Sequence, residues 1–145
     1  MSPGAELSIR LIETENELRE VFPIMRELRP HLDAETFIAR VRAAAAEKFR
    51  MAGLWENGSP IAVAGYRVMT SLNTGPTLYL DDFVTTEARR GQGYGSKLFA
   101  FVCEEGRKAG CGTLSLDSGY QRRDAHRFYL DTGMAMVAHH FAMKL

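Results

Sequence analysis

The stretch "TLYLDDFVTTEARRGQGYGSKLFAFV", residues 77–102, constrains the fold more than any other. A β-rich run ends in a turn with glycine at 91, 93 and 95 and passes, without a linker, into Leu98, Phe101 and Val102 at helical spacing. A strand that hands over to a helix in this way calls for a sheet flanked by helices.

The flanking segments agree. "ELSIRLI" alternates and reads as a strand, and Thr14 to Glu17 has the hydroxyl-to-carboxylate spacing of a capping box, opening a helix to about Leu28 that contains Pro23. Asp33 is placed to cap a second helix through Phe37, Val41 and Ala45. Asn57-Gly58 suits the positive φ of a tight hairpin turn between two β-rich runs. Gly110 closes the helix that follows the glycine turn, "GTLSLDS" is a further strand, "DAHRFYLDTG" a short helix with Ala125, Phe128 and Tyr129 on one face, and "MVAHHFAMKL" a last strand. The order β-α-α-β-β-β-α-β-α-β, with no repeat or low-complexity linker, predicts one α/β domain over residues 1–145.

Backbone N–H groups in the first turn of a helix have no partner within it, and the helix dipole favours an anion there. Glycines at 91, 93 and 95 let phosphate oxygens approach the main chain, with Arg89 and Arg90 beside them, so a diphosphate is the expected occupant. The spacing is not that of a nucleotide P-loop, because Ser96 precedes Lys97, nor that of a dinucleotide fingerprint, because the run is Gly-x-Gly-x-Gly.

Charge and cysteine content exclude other classes. Eighteen basic and eighteen acidic residues cancel, which argues against a nucleic-acid protein held on a broad basic surface. The balance is uneven: residues 1–87 carry 9 basic and 13 acidic side chains, a net of −4, and residues 88–145 carry 9 and 5, a net of +4, so an anion is drawn to the C-terminal part. Cys103 and Cys111 form no disulfide framework, and no stretch has the apolar length to span a bilayer; a cytoplasmic protein with no membrane partner is expected. His139 and His140 are neighbours on an expected strand, their rings diverging, and with no third ligand no metal site is expected.

Arg90-Gly91-Gln92-Gly93-Tyr94-Gly95 resembles the Arg/Gln-x-x-Gly-x-Gly/Ala signature of the GNAT N-acyltransferases. "LYLDDFV" is similar to that family's central strand, and "AHRFYLDTGM" to its Ala-x-x-Phe/Leu-Tyr-x-x-x-Gly-Phe/Met helix. The resemblance implies a mixed, mostly antiparallel sheet of six to seven strands with about four helices and a V-shaped split between central strands. It implies acetyl-CoA (coenzyme A) as cofactor, its diphosphate at Arg89, Arg90, Gly91, Gln92, Gly93, Tyr94, Gly95 and Ser96, and its pantetheine arm along a bulged strand at Phe83, Val84 and Thr85. Many members carry Asn shortly before the helix alanine; Arg122, Arg123 and Asp124 stand there instead, so that contact is not carried over.

An amine attacks a thioester only when neutral, yet a lysine-like amine has an unperturbed pKa of about 10.4. A base and a proton donor for the departing thiolate are therefore needed. By the resemblance Tyr129 is the acid, and the pair Asp81 and Asp82 is similar to the acidic strand of polyamine and aminoglycoside acetyltransferases. Asp81 is assigned as base and Asp82 as partner of the substrate cation, with these roles interchangeable, and a main-chain N–H near Val84 meets the oxyanion. The expected activity is acetyl transfer to a primary amine of a small cationic molecule. A protein N-terminal or lysine acetyltransferase and a non-catalytic acyl-CoA module are the alternatives, and a homodimer is among the admissible assemblies.

Overall fold

A computed structural model describes residues 4–145. Contacts divide the chain into two compact units, one ending at Ser115 and the other spanning Leu116–Leu145.

The first unit contains β1 (Leu7–Leu11), α1 (Glu15–Leu28), α2 (Ala34–Ala45), β2 (Phe49–Glu56), β3 (Ser59–Ser71), β4 (Gly75–Thr85), α3 (Tyr94–Lys108) and β5 (Thr113–Ser115), with a single 3-10 turn at Glu87–Arg89. The strands lie side by side in chain order. The first three pairings are antiparallel and the last, β4 with β5, is parallel. That last pairing covers only Thr77–Tyr79 against Thr113–Ser115, and β4 continues alone on this edge to Thr85. The expected split between central strands begins there.

Local chemistry explains most boundaries. Thr14 and Glu17 form the reciprocal capping box at the start of α1, and the Asp33 carboxylate accepts from the Thr36 N–H at 2.7 Å to start α2. Asn57 and Gly58 both adopt positive φ, 49° and 81°, as the hairpin turn requires. Pro23 sits inside α1 without ending it.

Helices cover both faces of the sheet. Leu18, Val21, Ile24 and Met25 of α1 and Phe37 and Ile38 of α2 form one core with Phe49, Met51, Trp55, Val63 and Val84. Tyr94, Leu98 and Val102 of α3 are fully buried, and a Cβ on Gly106 would stand 3.2 Å from Leu78, so α3 lies close against β4.

The second unit contains α4 (Arg123–Asp131), where Phe128 and Tyr129 meet edge to face with ring centroids 5.5 Å apart, and Gly133, φ 99°, ends it. One expectation is corrected here. Residues 134–145 form no strand, so the described residues contain five strands rather than six or seven. A strand is stabilised by a ladder partner, and this segment has none; Met136, Val137, Phe141 and Met143 stand exposed. None of the described helices is long and apolar enough to cross a membrane.

Candidate active site

The sheet register fixes the acidic pair. Tyr66 of β3 faces Leu80, whereas Gly65 faces Asp82, so Asp81 is an extra residue in β4. The sequence reading puts the bulge at Phe83–Thr85; the register shift against β3 lies at Asp81 instead, two residues before Phe83. A bulge interrupts the alternation of side chains. Before it, Leu78 packs toward α3; after it, Phe83 contacts Phe99 of α3, ring centroids 6.0 Å apart, and Val84 joins the core under α1 and α2. Both carboxylates consequently reach the α1/α2 side, where a regular strand would have divided them between faces.

That side holds a cavity of about 320 Å³ whose wall includes Arg29, His31, Arg40, Arg67, Asp81 and Asp82 above an apolar floor. Asp82 Oδ1 accepts from Arg29 Nε at 2.9 Å, and Arg29 also donates to the Asp81 carbonyl at 3.1 Å. Asp81 Oδ2 accepts from Arg67 Nε at 3.0 Å. Burial pushes the Asp81 carboxyl above its ordinary value, against the pull of Arg67. Gly65 leaves the room this needs: a Cβ there would stand 2.5 Å from the Phe49 ring and 3.0 Å from Asp82 Oδ2.

Six residues beyond Thr85 begins the glycine turn. Gly91 and Gly93 have φ of 74° and 89°, conformations costly for other residues, and Gly93 occupies the N-cap of α3 without a side-chain cap. A Cβ at either would meet nothing within 4 Å, so the space over these amides is open. Gln92 and Ser96 are exposed beside them, and no acidic residue occupies the first turn of α3.

The flanking charges serve the turn's own geometry. Arg89 is paired with Glu56 and bonded to the Tyr94 hydroxyl, which itself donates to Glu56; Tyr94 is 0% exposed. Arg90 Nε donates to the Thr85 carbonyl at 2.9 Å and reaches Glu27 at 3.4 Å. Glu27, from α1, also accepts from the Thr86 hydroxyl at 2.7 Å and the Glu87 N–H at 2.9 Å. The two arginines expected to supply charge to a diphosphate are thus engaged as anchors of the turn, and so is the Tyr94 ring.

Hydrogen bonds from Arg89, then Tyr94, hold the Glu56 carboxyl below the usual carboxylate range. A carboxyl lowered on folding adds stability above its unfolded value, near 4.5, and that stability is lost as pH falls through the folded value. Glu56→Gln should therefore melt below wild type at neutral pH, and the two melting curves should converge on acidification. A gap that stays constant with pH would remove the ion pair as its cause.

Residues 11–134 match the sequence model of the acetyltransferase (GNAT) family. The chain belongs to that family. The acetyltransferase is 40% identical over 126 residues to the uncharacterized N-acetyltransferase YhdJ of Bacillus subtilis (strain 168), covering 86% of this chain and 89% of that one. A shorter likeness, 44% over 54 residues, links it to the aminoalkylphosphonate N-acetyltransferase of Salmonella typhimurium, covering 37% of this chain and 35% of that one. Its fold matches the aminoglycoside N-acetyltransferase AAC(6')-Iy, solved in complex with CoA, with a TM-score of 0.87 at 16% identity over 100% of this chain and 98% of the other. As a family member the acetyltransferase is an enzyme that draws on acetyl-CoA.

Within the first unit, Asp81 and Asp82 face one cavity, and Phe83, Val84 and Thr85 lie where β4 has lost β5. Thr86 N–H donates to the Ile61 carbonyl at 2.9 Å. Antiparallel alternation then turns the Val84 amide toward Val63 and those of Phe83 and Thr85 toward the edge away from β3. Tyr129 lies on α4 in the second unit, half-buried, and burial pushes its phenol above 10. Asp117, left without a role by sequence, meets His140 Nδ1 at 3.4 Å in that unit, and no group of metal-ligating side chains occurs among the described residues. Sequence reasoning missed Glu27, Glu56, Arg29 and Arg67; each acts across a long chain separation, and no local motif marks it.

Proposed function

We propose that this acetyltransferase moves an acetyl group from acetyl-CoA to a primary amine of a small molecule by direct attack on the thioester, within one catalytic domain spanning residues 1–145. One observation carries the reading: β4 turns both carboxylates to a cavity and, a few residues later, delivers an open, uncapped helix N-terminus. The donor and the acceptor are then served by two ends of one strand. The acceptors in the names of the similar proteins, an aminoalkylphosphonate and an aminoglycoside, are likewise small molecules bearing amines.

In this reading the diphosphate sits on the amides of Gly91 to Ser96, and the pantetheine arm follows the outward amides of Phe83 and Thr85, one of which meets the oxyanion. Asp82 holds the arriving ammonium. Asp81, its basicity raised by burial, takes the amine proton directly or through water, and Tyr129 returns one to the departing thiolate. The amine nitrogen bonds to the acetyl carbonyl carbon to give the tetrahedral oxyanion, and collapse of that oxyanion breaks the carbon–sulfur bond, leaving the product amide and the thiol of CoA.

A panel of amines assayed by free-thiol release tests this. Asp82→Asn is expected to raise KM for the amine more than it lowers kcat, and Asp81→Asn to lower kcat and remove the acidic limb of the pH–rate profile. If both variants keep wild-type kinetics on every accepted amine, the carboxylates have no part in the reaction.

A further inference from the structure

The charge around the acceptor cavity does not fit a polycation. Three guanidiniums, Arg29, Arg40 and Arg67, line it against two carboxylates, Asp81 and Asp82, with His31 on the same wall. Arg29 is held by Asp82 and Arg67 by Asp81, so each carboxylate is already matched before any ligand arrives. Arg40, on α2, has no hydrogen-bond or ion-pair partner among the described residues. A second positive charge on the acceptor would approach this uncompensated guanidinium, and like charges brought together at a binding surface discriminate strongly against a ligand.

We propose that the acceptor is a zwitterion: a primary amine addressed by Asp81 and Asp82 that carries, a few bonds away, a phosphonate or carboxylate held by Arg40. The inference rests on the acetyl-transfer reading and names its substrate class. An anionic group completes the hydrogen bonding of Arg40, and the ammonium takes a share of the carboxylates from Arg29 and Arg67, whose donors turn toward the same anion. Every charge in the cavity then has an opposite neighbour. The cavity volume, about 320 Å³, is at the small end for ligand sites and suits a chain of a few atoms rather than several sugar rings.

The test uses four acceptors with the same three-carbon spacing: propylamine, 1,3-diaminopropane, 4-aminobutanoate and 3-aminopropylphosphonate. Free-thiol release with acetyl-CoA should give a kcat/KM for at least one anionic amine about tenfold or more above those of propylamine and the diamine. The two anionic arms tell a carboxylate site from a phosphonate site. Arg40→Gln should reduce that selectivity ratio by a similar factor. Propylphosphonate, which lacks the amine, should inhibit wild type competitively with the acceptor and raise its melting temperature, and Arg40→Gln should weaken both effects.

Preference for the diamine, or a ratio that survives Arg40→Gln, overturns the proposal while leaving acetyl transfer to amines intact. If none of the four is acetylated yet propylphosphonate stabilises wild type and not the variant, the anion subsite stands and the acetyl-transfer reading falls for these amines. Absence of both acetylation and propylphosphonate binding overturns the two together.

Discussion

Tyr129→Phe is expected to lower kcat by about a hundred- to ten-thousand-fold, the range spanned by a positioned general acid. The substitution removes one oxygen and keeps the ring that meets Phe128, so α4 should remain folded. Burial raises the Tyr129 phenol, against a smaller opposing effect of Arg122, so the group carries its proton throughout the neutral range. A leaving thiolate can take that proton only where the hydroxyl exists. Wild type should therefore lose activity at alkaline pH as the phenol ionises, and the variant should lack that limb while keeping its KM for acetyl-CoA. Steady-state kinetics between neutral and strongly alkaline pH separate the outcomes, and an unchanged kcat with an unchanged profile would dismiss Tyr129 as the acid.

Gly93→Val should act on the donor instead. The backbone there has φ of 89°, where a β-branched residue is a strong outlier, while the space beyond its missing Cβ is open. The variant is not crowded; it is strained, and its side chain occupies the volume above the α3 amides. Wild type at a CoA concentration of a hundred times Kd should gain about 2.7 kcal/mol of stability. The variant should lose most of that gain, and its KM for acetyl-CoA should rise tenfold or more for each 1.4 kcal/mol of binding lost. Gly58→Val is the matching control, because Gly58 also has positive φ, 81°, and an open Cβ position, but lies in the β2–β3 hairpin. It should lower the melting temperature and preserve the response to CoA. Equal responses to CoA in all three proteins would remove the glycine turn from the donor site.

What the sequence made legible was local. Thr14 with Glu17, Asp33, Asn57-Gly58 and the glycines at 91 and 93 each satisfy or shape backbone within a few residues, so their roles can be read from spacing. The site's electrostatics were not legible, because they join distant segments. Arg29 and Asp82 are 53 residues apart and Glu56 and Tyr94 are 38 apart, and only the packing of α1 and α3 on the sheet brings them together. The bulge at Asp81 was misplaced for a related reason: an extra residue is defined by what β3 places opposite, which a single strand's pattern does not contain. The last expected strand was read from a strand-like run alone, and that run has no ladder partner among the described residues.

The extra residue also reverses parity along β4. Even-numbered positions as far as Leu80 belong to the layer beneath α3, whereas Asp82 and Val84 belong to the layer beneath α1 and α2. Deleting Asp81 would leave Leu80 opposite Tyr66 and Asp82 opposite Gly65 in unbroken alternation, so Phe83 would keep its place by Phe99 and Val84 its place in the core, and only the bulged carboxylate would be lost. Redesign of the acceptor pocket in this enzyme therefore has to count outward from Asp81 in both directions, since no uniform every-second-residue rule spans it.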